Sequence, residues 1–247
     1  DLAAAALLIG MKYVQLDQIP NQPLVFSDDG GRQRSEDEIL AYSLDKAITT
    51  GDLEWPVHLA MTKAVVRAMD AVQERLPGID EFLLVGGSKR GWTTYLAAAV
   101  DPRVTAMVPA SIDIGNLLEN VRHHFESYGF YTPAVQDYAE FDLFCRLAQP
   151  GGIEVATIVD PLTYAAKYTM PKLLGNSAGD QFFPPDSSRF YWPQLPGPKW
   201  MRYTVNTDHS QAQDDTAILA LLSAGDKMMD GEPLPDVTWN LDNGWIS

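Results

Sequence analysis

The sequence predicts an α/β chain with a mostly parallel, doubly wound sheet flanked by helices. Three observations carry this. Short apolar runs alternate with helix-period patterns, one such run breaks at a glycine pair directly before a helix, and the same strand-then-helix rhythm resumes later in the chain. The chain has 247 residues, enough for one large domain with a well-buried core, so residues 1–247 are expected to form a single unit.

The opening run Leu2 to Ile9 is apolar but lacks a basic flank and a cleavage-site pattern, so it reads as a helix and not as a signal peptide. Lys12 to Leu16 reads as a strand, and Asp17 to Asp29, broken by Pro20 and Pro23, as a loop. Ser35 followed by Glu38 is a capping-box start for a helix running to about Thr49. Pro56 to Arg75 places Val57, Ala60, Met61, Ala64, Val65, Ala68, Met69 and Val72 at helical spacing, and Pro77 closes it. Phe82 to Val85 is a continuous apolar run, as a central parallel strand covered on both faces requires, and Gly86-Gly87 breaks it. A helix follows from Lys89 to Val100 and a strand from Val104 to Pro109. Later strands are expected at Lys172 to Leu174 and Trp200 to Val205, with a helix from about Asp214 to Ala224. Residues 116–161 are aromatic-rich, irregular and longer than a crossover needs, and read as a cap inserted over the sheet edge.

Eighteen basic against thirty-three acidic residues give a formal charge of −15, which repels phosphate backbones and anionic headgroups, so nucleic acid is not an expected partner. No stretch is long and apolar enough to span a membrane. The lone cysteine, Cys145, excludes an intramolecular disulfide and a multi-cysteine metal site, and reads as a small buried hydrophobe. No cofactor is expected. A nucleotide-binding reading of the Gly86-Gly87 turn lacks the spaced Gly-x-Gly-x-x-Gly pattern.

Ser88 sits where a buried strand turns into a helix. A serine hydroxyl attacks poorly unless a base lies within hydrogen-bond reach, a third group orients that base, and donors await the oxyanion. The strand-to-helix bend is the nucleophile-elbow position of α/β-hydrolases, although Arg90 stands where the usual Gly-x-Ser-x-Gly pattern has its second glycine. Alone, such a glycine-rich turn fits a phosphate-binding or packing role equally. Order adds weight: in this fold the triad runs serine, acid, histidine, each on a loop after a strand. The strand at Lys172 to Leu174 leads to Asp180, and that at Trp200 to Val205 leads to His209.

Four histidines are present. His58 reads as a partly exposed helix residue, and the adjacent His123 and His124 cannot share a helix face for a metal. His209 is therefore the expected base, with Asp180 preferred to Asp208, Asp186 and Asp160. The Lys89 amide is one expected oxyanion donor, and Gln18, Ile19 and Asn21 are candidates for the second, because Pro20 and Pro23 have no N–H. Trp92, Asp113 and Asn116 are expected to line the pocket. The aromatics Phe125, Tyr128, Phe130, Tyr131, Tyr138, Phe141 and Phe144, interleaved with Glu119, Glu126, Asp137, Glu140 and Asp142, suggest a pocket for a neutral or cationic acyl group of a small-molecule or peptide substrate. The chemistry expected is ester or amide hydrolysis through an acyl-enzyme, against the alternative of a binding or signalling protein that keeps the scaffold.

The segments Ile19-Pro20-Asn21-Gln22-Pro23-Leu24, Met61 to Asp70, Gly86-Gly87-Ser88-Lys89-Arg90-Gly91-Trp92, Gly179-Asp180-Gln181-Phe182-Phe183 and Asn206-Thr207-Asp208-His209 resemble the PhoPQ-activated pathogenicity-related protein family over nearly the whole chain. The resemblance implies an α/β-hydrolase fold and accounts for Arg90, since that family carries Lys-Arg-Gly after its serine. It also implies a secreted or periplasmic location, and a secretion signal and a C-terminal β-rich region outside this chain.

Overall fold

The computed structural model describes residues 10–236, 241–242 and 245–246. The helix expected over Leu2 to Ile9 lies outside them. Strands β1 (Leu24–Val25) and β2 (Gln33–Arg34) form a small antiparallel pair. They are followed by α1 (Asp37–Thr50), α2 (Val57–Arg75), β3 (Phe82–Gly87), α3 (Lys89–Val100) and β4 (Val104–Ala110). Between β4 and β5 (Lys172–Ser177) come α4 (Leu117–Tyr128), α5 (Gln136–Ala139), α6 (Leu143–Arg146) and α7 (Gly152–Val159). The chain ends with β6 (Lys199–Thr204), α8 (Asp215–Met229) and a second short antiparallel pair, β7 (Leu241–Asp242) and β8 (Trp245–Ile246).

The main sheet has the order β3-β4-β5-β6, and every neighbouring pair is parallel. Alternation along each strand divides the core in two. Phe82, Leu84, Met107, Leu174 and Met201 turn toward α1–α3 and the helices between β4 and β5. Leu83, Ala106, Val108, Leu173 and Trp200 turn to the opposite face, against Leu221 and Met228 of α8. Helices thus cover both faces, and all strands end at the same edge, where the loops after β3, β5 and β6 meet.

Several expectations need correction. Residues 12–16 have no regular secondary structure, because no strand among the described residues pairs with them. Strand β3 runs on through Gly86 and Gly87 and lies at the edge of the four-stranded sheet, leaving Val85 42% exposed. The Ser35 to Glu38 capping box is half formed: the Glu38 carboxylate accepts the Ser35 amide at 3.3 Å, but the Ser35 hydroxyl caps nothing. The crossover from β5 to β6 holds two 3₁₀ turns, Ser187–Phe190 and Trp192–Gln194. Cys145 is exposed, because Leu143 and Leu147 on either side turn inward and leave it on the outer face of α6.

His58 is wholly buried. The inner stripe of α2 runs through His58, Met61, Thr62 and Met69, so the histidine takes a core position at helical spacing. Its ring lies 4.3 Å from that of Trp92, and neither nitrogen has a hydrogen-bond partner among the described residues. Burial therefore depresses its pKa to about 3. The unfolded chain then binds a proton between about pH 6.5 and 3 that the folded chain rejects, so this contribution to stability is present above that window and is lost as pH falls through it. Asp113, raised to about 7 by burial, works with the opposite sign in part of the same range. The difference between variants therefore isolates the histidine. His58→Phe keeps a ring against Trp92 and removes the titration. Its unfolding free energy relative to wild type is expected to rise by about 2 kcal/mol between pH 7 and pH 5 in denaturant titrations. A pH-independent difference would contradict the assignment.

Candidate active site

The bend between β3 and α3 places Ser88 at φ 55°, ψ −128°, a left-handed conformation that L side chains seldom adopt. Two glycines permit it. A Cβ on Gly86 would meet the Arg90 carbonyl oxygen at 2.4 Å, and one on Gly91 would meet the Gly86 carbonyl oxygen at 2.8 Å and Ile112 at 2.7 Å. The first turn of α3 is therefore pressed against the end of β3, and the second small residue is needed at 91. A Cβ on Gly87 would meet nothing within 4 Å. This explains the departure from Gly-x-Ser-x-Gly: position 90 faces outward and carries an arginine.

Arg90 and Lys89 have their own task. Arg90 donates to both Glu36 carboxylate oxygens, at 2.7 and 2.9 Å, and Lys89 Nζ lies 2.7 Å from Glu36 and 3.2 Å from Asp37. The Arg90 guanidinium is the main reason the Glu36 carboxyl stays far below its usual range. The Glu36 amide donates to the Gln22 side chain, and that side chain donates back to the Glu36 carboxylate. The proline-rich loop at 18–23 is thereby lashed to the start of α3.

At the ends of β5 and β6, the Gly179 amide donates to the Thr207 carbonyl at 3.0 Å, and a Cβ at 179 would sit 2.8 Å from that oxygen. Only glycine lets the two loops approach so closely. They carry Asp180 and His209. The Ser88 hydroxyl lies 2.8 Å from His209 Nε2, and His209 Nδ1 lies 2.9 and 2.8 Å from the two Asp180 oxygens. The arrangement is satisfied when Nδ1–H donates to the carboxylate and Nε2 accepts from the hydroxyl. The three residues singled out from the sequence thus stand in one hydrogen-bonded chain, from serine through histidine to aspartate.

The other aspartates have different partners. Asp208 is half-buried and accepts from the Ser210 amide and hydroxyl. Asp186 pairs with His123 and Arg189. Asp160 receives the Asn116 and Leu117 amides at the start of α4.

A narrow cavity of about 80 Å³ runs from Ser88 between α3 and the helices that follow β4. Ser88, Lys89 and Trp92 border it; Gln18, Ile19 and Asn21 do not. Asp113 and Asn116 also stand outside the lining, contrary to expectation. Asp113 is 1% exposed and its carboxylate takes the hydroxyls of Tyr191, at 2.5 Å, and Tyr203. With both hydroxyls bound and almost no exposure, the side chain turns into the core. The Asn116 side chain donates to the Phe190 carbonyl. Of the aromatics, Tyr131, Tyr138 and Phe144 line the cavity, whereas Phe125 and Phe130 are exposed. None of Glu119, Glu126, Asp137, Glu140 and Asp142 reaches it.

Other residues hold the histidine and were not foreseen. The Gln181 side chain accepts the His209 amide at 3.1 Å, and the Phe182 ring lies 4.2 Å from the imidazole. Buried Gln211 donates to the Gly175 carbonyl and the Ser111 hydroxyl, pinning the loop after β6 to the sheet. His124 receives the Thr132 amide on Nε2 and is 3.1 Å through Nδ1 from the Phe182 carbonyl, while the Thr132 hydroxyl donates to the Gln181 carbonyl. Only the neutral ring with its proton on Nδ1 serves both partners, and burial lowers the His124 pKa in the same direction. Gln181 and Phe182 were legible as neighbours of Asp180; nothing in the sequence singled out Gln211 or His124.

Comparison with known proteins agrees with this architecture. The chain is 40% identical over 240 residues to autocrine proliferation repressor protein A of Dictyostelium discoideum, covering 94% of this chain and 48% of that protein. It is 27% identical over 151 residues to acetyl esterase Axe7A of Xylanibacter ruminicola, covering 59% and 31% respectively. The chain thus spans about half the length of the first of these relatives and less of the second. Among solved structures, a puromycin hydrolase superposes with a TM-score of 0.56 at 17% identity, covering 72% of this chain and 26% of that one. The acetyl xylan esterase of Paenibacillus sp. R4 superposes with a TM-score of 0.51 at 20% identity, covering 64% and 49%. These likenesses show the α/β-hydrolase fold. The model of the PhoPQ-activated pathogenicity-related proteins matches residues 1–245, and the chain belongs to that family.

Proposed function

We propose that the chain is a serine hydrolase that cleaves an ester or amide bond through an acyl-enzyme on Ser88. The observation that carries this reading is the 2.8 Å approach of Ser88 Oγ to an imidazole whose other nitrogen is held by a buried carboxylate. Ser88 Oγ attacks the substrate carbonyl carbon while its proton passes to His209 Nε2. The tetrahedral oxyanion collapses, and the leaving oxygen or nitrogen departs with that proton. Water then adds to the acyl-enzyme, giving its proton to Nε2, and the carboxylic acid leaves as Ser88 Oγ recovers the proton. Asp180 holds the imidazole in the required tautomer and stabilises the imidazolium formed in each half.

The Lys89 amide opens α3 and so has no helical acceptor behind it, which suits it to the oxyanion. The second donor is assigned to the loop carrying Gln18, Ile19 and Asn21, which Gln22 and Glu36 tie to the elbow. The helices between β4 and β5 serve as a cap over the substrate. The cap aromatics enclose an apolar group. The cap acids give no reason to expect a cation in the cavity, because Glu119 and Glu126 pair with Arg122 outside it.

A second reading has one observation in its favour. The Dictyostelium relative, at 40% identity, is named for repressing proliferation and not for an enzyme activity, so a signalling protein on the same scaffold is the rival. Fluorophosphonate labelling separates them. Wild type is expected to be modified at Ser88 and Ser88→Ala to remain unmodified; an unlabelled wild type would favour the rival.

Asp180→Asn is expected to lower kcat on 4-nitrophenyl acetate by roughly 10⁴-fold with the fold retained, because the wrong tautomer then faces the serine. Asp208→Asn is expected to stay within about threefold of wild type. The reverse ranking would reassign the acid. His124→Ala frees the Phe182 carbonyl and the Thr132 amide together. It is expected to lower kcat about tenfold, with partial recovery in His124→Asn, whose amide replaces the donor to Phe182. Unchanged kinetics in His124→Ala would show that the cap does not steady the histidine loop.

A further inference from the structure

A continuous chain of contacts roofs the cavity beside Ser88, from the histidine at one end to the elbow at the other. The Phe182 ring lies 4.2 Å from that of His209, and the Phe182 carbonyl accepts from His124 Nδ1 at 3.1 Å. His124 stacks on Tyr131 at 6.0 Å between ring centres, Tyr131 lies 4.1 Å from Phe144, and Phe144 lies 6.3 Å from Tyr138. The Tyr138 hydroxyl then donates to Asp37 at 2.8 Å, and Asp37 stands 3.2 Å from Lys89 Nζ. Every member from Phe182 to Lys89 borders the cavity. Aromatic pairs at such separations attract one another, so the arch holds its shape between His209 and the residue after Ser88. Phe144 is half-buried and joins the two tyrosines at its middle.

Beneath the arch the wall is mostly hydrocarbon, from Trp92, Ile112, Leu117 and Val121. The charged groups in it, Asp37 and Lys89, answer each other. A charged chain would lose its hydration there and meet no free counter-charge among the lining residues. The space is about 80 Å³. A cavity of about 150 Å³ takes a benzene ring, and a methylene occupies on the order of the 30 Å³ that water takes in the liquid, so an alkyl chain of about three carbons fits here and a ring does not. The side of the scissile bond follows from the base. A leaving group must lie beside His209 Nε2 to receive its proton, yet His209 stands outside the lining, whereas Ser88 and Lys89 border it.

We propose that this slot receives the acyl chain of the substrate, that it selects an unbranched, uncharged acyl group of about four carbons, and that Phe144 sets the length limit. The acyl assignment rests on Ser88 as nucleophile; the size limit does not.

The 4-nitrophenyl esters of acetate, butanoate, hexanoate and octanoate are compared on wild type, Phe144→Ala and Phe144→Trp. Wild-type kcat/KM is expected to rise about fifteenfold from acetate to butanoate, at about fourfold per buried methylene, and to fall roughly tenfold from butanoate to octanoate. Phe144→Ala is expected to prefer octanoate to butanoate, and Phe144→Trp to prefer acetate. A loosened cap does not produce opposite shifts. Equal activity on every chain length, octanoate fastest in wild type, or one order in all three proteins would overturn the proposal. A length optimum among ethyl, butyl and octyl acetates, with none among the acyl groups, would place the slot on the leaving-group side and also overturn it. Binding separates the two readings. Ser88→Ala is titrated by NMR with butanamide, octanamide, benzamide and the cationic 4-aminobutanamide, and butanamide is expected to bind about tenfold more tightly than the other three. That order, with wild type inactive on every ester and unlabelled by fluorophosphonate, would keep the size-limited slot and overturn the hydrolase reading. Labelling and ester hydrolysis without the expected order in either series would do the reverse.

Discussion

The site depends on one steric constraint, the contact between the end of β3 and the first turn of α3. Gly86 and Gly91 have no side chains at the points where two backbones touch, and the residue between them, Ser88, is forced to a positive φ. A serine in that conformation stands clear of both strand and helix, with its hydroxyl over the sheet edge and helical amides beneath. The backbone strain is of order 1–3 kcal/mol, and the surrounding packing holds it in place.

A second close approach works on the same principle. Gly179 lets the loops after β5 and β6 share a hydrogen bond at Thr207, and that bond brings a carboxylate and an imidazole into line with the serine. The remaining contacts are restraints on these two. Glu36 ties α3 to the proline loop, Gln211 fastens the histidine loop to the sheet, and His124 fastens the loop at Gln181–Phe182 to the helices after β4. His124 therefore belongs both to the cavity wall and to the support of the Gln181–Phe182 loop, whose side chains touch His209.

Much of this was legible in the sequence. The strands with continuous apolar runs and the helix at Lys89 to Val100 follow from periodicity, and the glycine-rich bend, the chain order and elimination among four histidines together single out Ser88, Asp180 and His209. What failed did so for tertiary reasons. His58 reads as a partly exposed helix residue, yet its spacing with Met61 and Thr62 places it inside. Asp113 occupies the expected loop end, yet two tyrosine hydroxyls from distant segments turn it into the core, and no local pattern announces them. Arg90 departed from the general motif because the contact that demands glycine falls one residue later, a distance set by helix geometry and invisible in a pattern of letters. The cap acids looked like ligands for a cation, but Glu119 and Glu126 find Arg122 on their own helix.

Hydrolysis as proposed requires a covalent acyl group on the serine of the strained bend. Its most direct measurement is rapid mixing with 4-nitrophenyl acetate, followed by acid quench and peptide mass spectrometry. The expected result is a burst of about one 4-nitrophenolate per chain and an acetyl group on the peptide at the Ser88 side chain. Release without a burst, or an acetyl group lodged on another residue, would contradict it.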